Sequence, residues 1–174
     1  MNWIPQRGRF PQVRHRRKRT YPWLRALVAE SALQAQDLIL PLFVHDRPSI
    51  EPVESMPGVE RLPIPCILER AKQACEAGIS ALALFPAVEG SLKQDDAREA
   101  YNPENLICRT VAAVKEAGID IGIICDVALD PYTSHGHDGL LRDGYVANDE
   151  TLDVLCRQAL AQARAGCDII APSI

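Results

Sequence analysis

Three near-identical junctions punctuate the chain: Ala77-Gly78-Ile79, Ala117-Gly118-Ile119 and Ala165-Gly166-Cys167, spaced 40 and 48 residues apart. Each closes a stretch with helical apolar spacing and opens a short apolar run. A Gly just past a helix supplies the left-handed residue that stops it. The β-branched run beyond it is the pattern of a strand covered on both faces. Repeated helix, stop and buried strand is the sequence form of right-handed βα units in a parallel sheet. The spacing predicts strands at 38–44, 81–85, 119–127 and 168–171, and helices at 64–77, 103–117 and from Asn148 to the Gly166 stop. Asn102 is the expected N-cap of the middle helix, and Asp149 and Glu150 suit the first turn of the last one. Leu152, Leu155 and Ala159 are its expected inward face, a further short helix is expected at 21–32, and Pro41 suggests an edge-like or distorted first strand.

Such units build either an open doubly wound sheet or a closed barrel. No G-x-G-x-x-G and no P-loop follows any strand, which counts against the nucleotide-binding open sheets. Long polar loops after each strand favour the barrel. The expected fold is therefore α/β, the N-terminal half of a TIM (βα)8 barrel with about four βα units, preceded by an extended basic arm. The arm is placed at 1–22 and the partial barrel at 23–174. A full barrel takes about 250 residues, so 174 residues ending one step past the fourth strand are expected to be an incomplete piece.

Charge divides the chain in the same way. The first 29 residues hold eight of the 19 basic residues and none of the 23 acids, which leaves an acidic body. The arm has no helical period, with Pro5, Pro11 and Pro22 and the aromatics Trp3, Phe10 and Tyr21. It reads as a nucleic-acid tail, a transit peptide or an arm that packs on an acidic partner subunit. The third is favoured, because the body is acidic and nothing downstream resembles a nucleic-acid fold. The six cysteines, Cys66, Cys75, Cys108, Cys125, Cys156 and Cys167, contain no C-x-x-C and read as small buried hydrophobes in a reducing cytosol. The longest apolar runs are too short to span a bilayer, and no signal-peptide core is visible. A cytoplasmic protein with no membrane partner is expected.

Chemistry concentrates after the third strand. The stretch 126–139, DVALDPYTSHGHDG, packs Asp126, Asp130, Asp138, His135 and His137 onto a strand's C-terminal end, where parallel α/β enzymes hold their reactive groups. A polar connection that only caps the strand is the plainer reading. Asp126 points into the barrel mouth or is a buried acid satisfied by backbone amides. Asp130 and Asp138 offer oxygen to a hard cation or a water. The two histidines lack a third soft ligand, and structural hydrogen bonding by His135 is the alternative to zinc. The connection 85–103, with Lys93, Asp95, Asp96 and Glu99, reads as a mobile flap.

The same stretch resembles the metal-loop signature of the delta-aminolevulinic acid dehydratase (porphobilinogen synthase) family. LILPLFV at 38–44, MPGVER at 56–61, ALALFP at 81–86, EAYNP at 99–103, NDET at 148–151 and APS at 171–173 agree in order, so the resemblance runs from about residue 14 to residue 173. It implies a TIM-barrel enzyme that condenses two 5-aminolevulinate molecules to porphobilinogen with loss of two waters, in tetrapyrrole and heme biosynthesis. It implies a homo-octamer whose arm embraces a neighbour. Asp126 and Ser173 match residues lining that family's active site. The positions matching Ala128, Asp130 and Asp138 are cysteines in the zinc-dependent branch, so the resemblance implies no active-site zinc here and a hard cation such as Mg²⁺ at Asp130 and Asp138. Asp126, Asp130, Asp138 and Ser173 are the expected catalytic residues.

The family's chemistry needs two Schiff-base lysines from the second half of the barrel, and Lys18, Lys72, Lys93 and Lys115 do not stand in for them. Activity of these residues alone is therefore not expected. The rival reading is a non-catalytic half-barrel remnant that binds a subunit or nucleic acid.

Overall fold

The computed structural model describes residues 8–173; Trp3, Pro5 and Arg7 of the arm and the terminal Ile174 lie outside them. The chain divides into two compact units, at 1–34 and 35–174. In the first, a 3-10 turn at Arg16–Arg19 precedes a short helix, α1 (Pro22–Leu27). Pro22 occupies its first turn, where a missing N–H costs nothing. The helix stops well short of the expected residue 32. Six residues with Trp23 and Leu27 exposed have no packing to extend them.

The second unit carries the repeat. Its elements are β1 (Ile39–Val44), β2 (Glu51–Pro52), β3 (Glu60–Leu62), α2 (Ile64–Glu76), β4 (Ala81–Pro86), α3 (Leu106–Glu116), β5 (Gly122–Val127), β6 (Leu141–Arg142), β7 (Tyr145–Val146), α4 (Asn148–Arg164) and β8 (Ile169–Pro172). The main sheet runs β2-β3-β1-β4-β5-β8, and β1, β4, β5 and β8 are parallel neighbours in chain order. This is the expected half barrel of successive βα units. Each junction works as its sequence requires: Gly78 and Gly118 adopt φ of 81° and 65°, and the Ile79 amide bonds the Ala74 carbonyl at 2.9 Å.

Several expectations change. The stretch 47–65 holds the β2–β3 hairpin as well as loop, and its turn closes from the Val59 amide to the Met56 carbonyl with Gly58 at φ 83°. Pro41 pairs with Ala83 on one side, while β3 reaches only Phe43 and Val44 on the other. The missing Pro41 amide therefore disrupts no ladder. The true N-cap of α3 is Asn105, whose side chain accepts from the Cys108 amide at 2.8 Å, whereas Asn102 makes a turn bond to Glu104. In α4 the buried stripe is Thr151, Val154, Leu155, Gln158, Ala161 and Gln162, and Leu152 is exposed. Its phase is set by Thr151, which accepts from the Leu140 amide and donates to the Ala147 carbonyl.

Side chains alternate across the strands. Leu42, Val44, Leu82, Leu84, Ile123 and Cys125 face α2 and α3 and pack with Ile67, Val111 and Val114 into the main core. The opposite face, the one that lines a barrel's interior, carries Phe43, Phe85, Ile124, Asp126 and Ala171. The Phe43 and Phe85 rings sit 5.7 Å apart on that face.

Candidate active site

β5 delivers Asp126 to the interior face at its C-terminal end, because Cys125 and Val127 on either side are taken by the core. The neighbouring strand pairs Ala171 with Asp126, and two residues on Ser173 returns to the same face. Its hydroxyl donates to Asp126 Oδ1 at 2.6 Å, the length of a charge-assisted hydrogen bond. The structure thus joins two of the four expected site residues.

The chain beyond Val127 is locked by its own side chains. Asp138 Oδ1 accepts from the Leu129 amide at 2.5 Å, closing the loop back on its start. The Leu129 carbonyl takes the Tyr132 and Thr133 amides, and Thr133 Oγ1 donates to the His137 carbonyl. Leu129, Tyr132 and Leu140 then pack into a second core with Val154 and Leu155 of α4. The loop is a folded platform, with more structure than a polar cap to the strand needs.

Asp130 stands exposed on this platform. Partial desolvation holds its carboxyl above the ordinary range, and the negative charges of Asp138 and Asp126 push it the same way, while Lys93 opposes them. Asp130 is therefore close enough to both other carboxylates to feel their charge. His135 and His137 lie 5.5 Å apart, and His135 Nδ1 accepts from the His137 amide at 3.2 Å. Among the described residues no group of three His, Cys, Asp or Glu side chains is placed to hold a metal ion.

Sequence reasoning missed two glutamines. Gln162 Nε2 donates to the Asp126 carbonyl at 2.9 Å, and Gln158 Nε2 to the Ala128 carbonyl at 3.1 Å; both are buried in α4. They take carbonyls at the end of β5 and so fix the backbone that carries Asp126. Their i, i+4 spacing on a buried helix stripe is the signal that finds them. The connection 85–103 is not a structureless flap either. It contains 3-10 turns at Gly90–Leu92 and Arg98–Tyr101, buries Ala97 and Ala100, and is tied to the platform by the Gln94 amide on the Tyr132 carbonyl and by Ser134 on Asp95.

The family model described as delta-aminolevulinic acid dehydratase matches residues 12–174. The chain is similar to the delta-aminolevulinic acid dehydratase of Bradyrhizobium diazoefficiens, 52% identical over 162 residues, which cover 92% of this chain and 46% of that protein. It is 42% identical to that of Rhodobacter capsulatus, covering 94% and 50%, and 44% identical to a chloroplastic one from Physcomitrium patens, covering 92% and 38%. Among solved structures, the Toxoplasma gondii enzyme in complex with its reaction product porphobilinogen superimposes with a TM-score of 0.87 at 43% identity, covering 98% of this chain and 48% of that one. The chain spans about half or less of the length of these relatives.

Proposed function

The chain belongs to the delta-aminolevulinic acid dehydratase family, and from that premise we propose that it supplies the N-terminal half of a porphobilinogen synthase, the enzyme that joins two 5-aminolevulinate molecules into porphobilinogen. The observation that carries the reading is the Asp126–Ser173 pair, a carboxylate and a hydroxyl 2.6 Å apart on the interior face of adjacent strands. In this role Asp126 stabilises cationic nitrogen of the substrate, and Ser173 orients the carboxylate. Asp130 stands near Asp126 and Asp138 at the same end of the strand, and their negative charges, after its own desolvation, raise its carboxyl.

The donor set speaks about the metal. Ala128 is buried and has no ligating atom, and Asp130 and Asp138 offer only oxygen, a poor match for soft zinc and a fair one for a hard cation that keeps most of its waters. Asp130 and Asp138 are the residues that would hold Mg²⁺, whose charge would relieve their mutual repulsion. The arm is read as a contact to a second copy of the enzyme. A reducing cytosol suits the six cysteines, all free, and no helix among the described residues is long and apolar enough to cross a membrane.

The test is to incubate the chain with 5-aminolevulinate, alone and with the C-terminal half of the Bradyrhizobium relative, and to measure porphobilinogen colorimetrically. Product is expected only in the mixture, and Asp126→Ala should abolish it. A mixture whose halves co-purify but whose product formation ignores Asp126→Ala would overturn the assignment. One observation favours the second reading, a non-catalytic binding half: Lys72 is exposed on α2, and Lys115 on α3 is held 2.6 Å from Asp168. Neither reaches the interior face.

A further inference from the structure

Beside the acid platform, at the C-terminal ends of β1 and β4, lies a cavity of about 300 Å³ bordered by His45, Arg47, Glu51, Arg61, Glu89 and Lys93. Its charges are unevenly matched. Arg47 consumes both acids, with Nε on Glu89 at 2.9 Å and Nη1 on both oxygens of Glu51 at 3.0 Å. Arg61 and Lys93 have no hydrogen bond or ion pair to any other side chain among the described residues, yet both are half-buried. On the same wall His45 is 3% exposed, with Nδ1 3.9 Å from Glu51 and Nε2 lacking a hydrogen-bond partner among the described residues.

Arg61 is placed by the sheet. It pairs with Phe43, which pairs in turn with Phe85, so its side chain shares the interior face with those rings. Lys93 comes from the other side, on the connection bound to the platform through its neighbour Gln94. Two half-buried cations that converge on one cavity repel each other and are only partly hydrated, an arrangement that a bound anion stabilises.

The geometry points to a small-oxyanion site in this cavity, in which Arg61 offers its planar fork and Lys93 its ammonium to one phosphate or carboxylate group. Phosphate presents a tetrahedral set of acceptor oxygens and carboxylate a planar pair, and either can meet a guanidinium fork with two oxygens. The site is separate from the Asp126–Ser173 pair and does not depend on the reaction assigned to the chain.

Binding to the full chain tests it, using inorganic phosphate followed by phosphorus NMR and succinate followed by saturation-transfer NMR at low salt. Saturable binding in the millimolar range is expected, and Arg61→Gln and Lys93→Gln should each weaken it about tenfold, the worth of one charged hydrogen bond. Lys93→Arg should retain most of it, and Arg61→Lys, which keeps the charge and loses the fork, should retain part. The probe that binds more tightly identifies the oxyanion. The arm has a basic cavity of its own, lined by Arg14, Arg16, Lys18, Arg19 and Arg25, so Arg16→Gln with Lys18→Gln is the control and should leave binding unchanged. Lys93 lies on a loop, so Lys93→Gln decides the matter if Arg61→Gln does not fold. No saturable binding of either probe, binding indifferent to Lys93→Gln, or binding removed by the arm variant would each overturn the site.

Discussion

Asp138 is placed to serve both the platform's shape and its charge. Its Oδ1 is the acceptor for the buried Leu129 amide, and removing it leaves that donor unsatisfied, at a cost of about 1–3 kcal/mol. Asp143 offers the contrast. It is exposed at φ 51° beside Gly144 at φ 82°, the Asp-Gly turn that joins two short antiparallel strands. Asp138→Ala should therefore lower the melting temperature and the activity of a reconstituted enzyme, while Asp143→Asn, which tolerates the left-handed turn, should change neither. Equal losses in differential scanning fluorimetry and in the porphobilinogen assay would mean the functional carboxylate has been misplaced. Asp130 gives a pH signature. Desolvation and its acidic neighbours raise its carboxyl in the folded chain, so its favourable contribution is present below the unfolded value and is lost as pH rises through the folded one. Asp130→Asn should stabilise the chain at neutral pH, by less than about 1 kcal/mol for so exposed a group. Urea midpoints should show that gain vanishing below about pH 4.

At the scale of elements, the glycine stops and one ion pair hold the repeat in register. Gly118, at φ 65°, has open space around its missing side chain. Gly118→Ala should therefore cost only the left-handed strain, about 1–2 kcal/mol, and a urea titration that finds no loss would remove the junction from the account of the fold. Lys115 Nζ meets Asp168 Oδ2 at 2.6 Å, and the same oxygen accepts the Ile123 amide at 2.8 Å, so one carboxylate ties α3 and β5 to the entry of β8. The Lys115 ammonium holds the Asp168 carboxyl below its ordinary value. That contribution is present above the unfolded value and is lost as pH falls through the folded one, so the melting-temperature difference between the native chain and Asp168→Asn should shrink below about pH 4. The repeat was legible because every helix stop and strand carries its own local signal. The β2–β3 hairpin was not, since its strands are two and three residues long and two of their five residues are glutamates. Asp126 was legible as an acid at a strand's end, but its glutamine clamps were missed, because glutamine usually lies outside a core and their i, i+4 spacing signals only once the buried stripe of α4 is placed. On α4, Leu155 is buried and Ala159 packs against the core as expected, but Leu152 was misread, because it outweighs Thr151 in hydrophobicity while Thr151 has the hydrogen bonds. The Arg61–Lys93 cavity was invisible because the loop that closes it folds only against the platform.

At the scale of the whole barrel unit, the two faces of the sheet are treated differently. The outer face is sealed by α2 and α3 over Leu82, Leu84 and Ile123, none of them more than 1% exposed. On the flanking strands of the inner face, Ile39 and Ile169 remain 54% and 52% exposed. Among the described residues β8 pairs with β5 alone, so its other edge also presents unpaired backbone groups. Each isoleucine has about half its surface to gain by burial, at roughly 25 cal/mol per Å² of apolar area, and an open strand edge recruits further strands. A chain of these 174 residues should therefore self-associate at micromolar concentration and bind hydrophobic dyes, both measurable by sedimentation velocity and fluorescence. Ile169→Lys should reduce that association with little effect on the melting temperature, because the side chain contributes little to the core beneath it. A monodisperse monomer that excludes the dye, or an Ile169→Lys variant that associates as strongly as the native chain, would show that the inner face is not the adhesive surface.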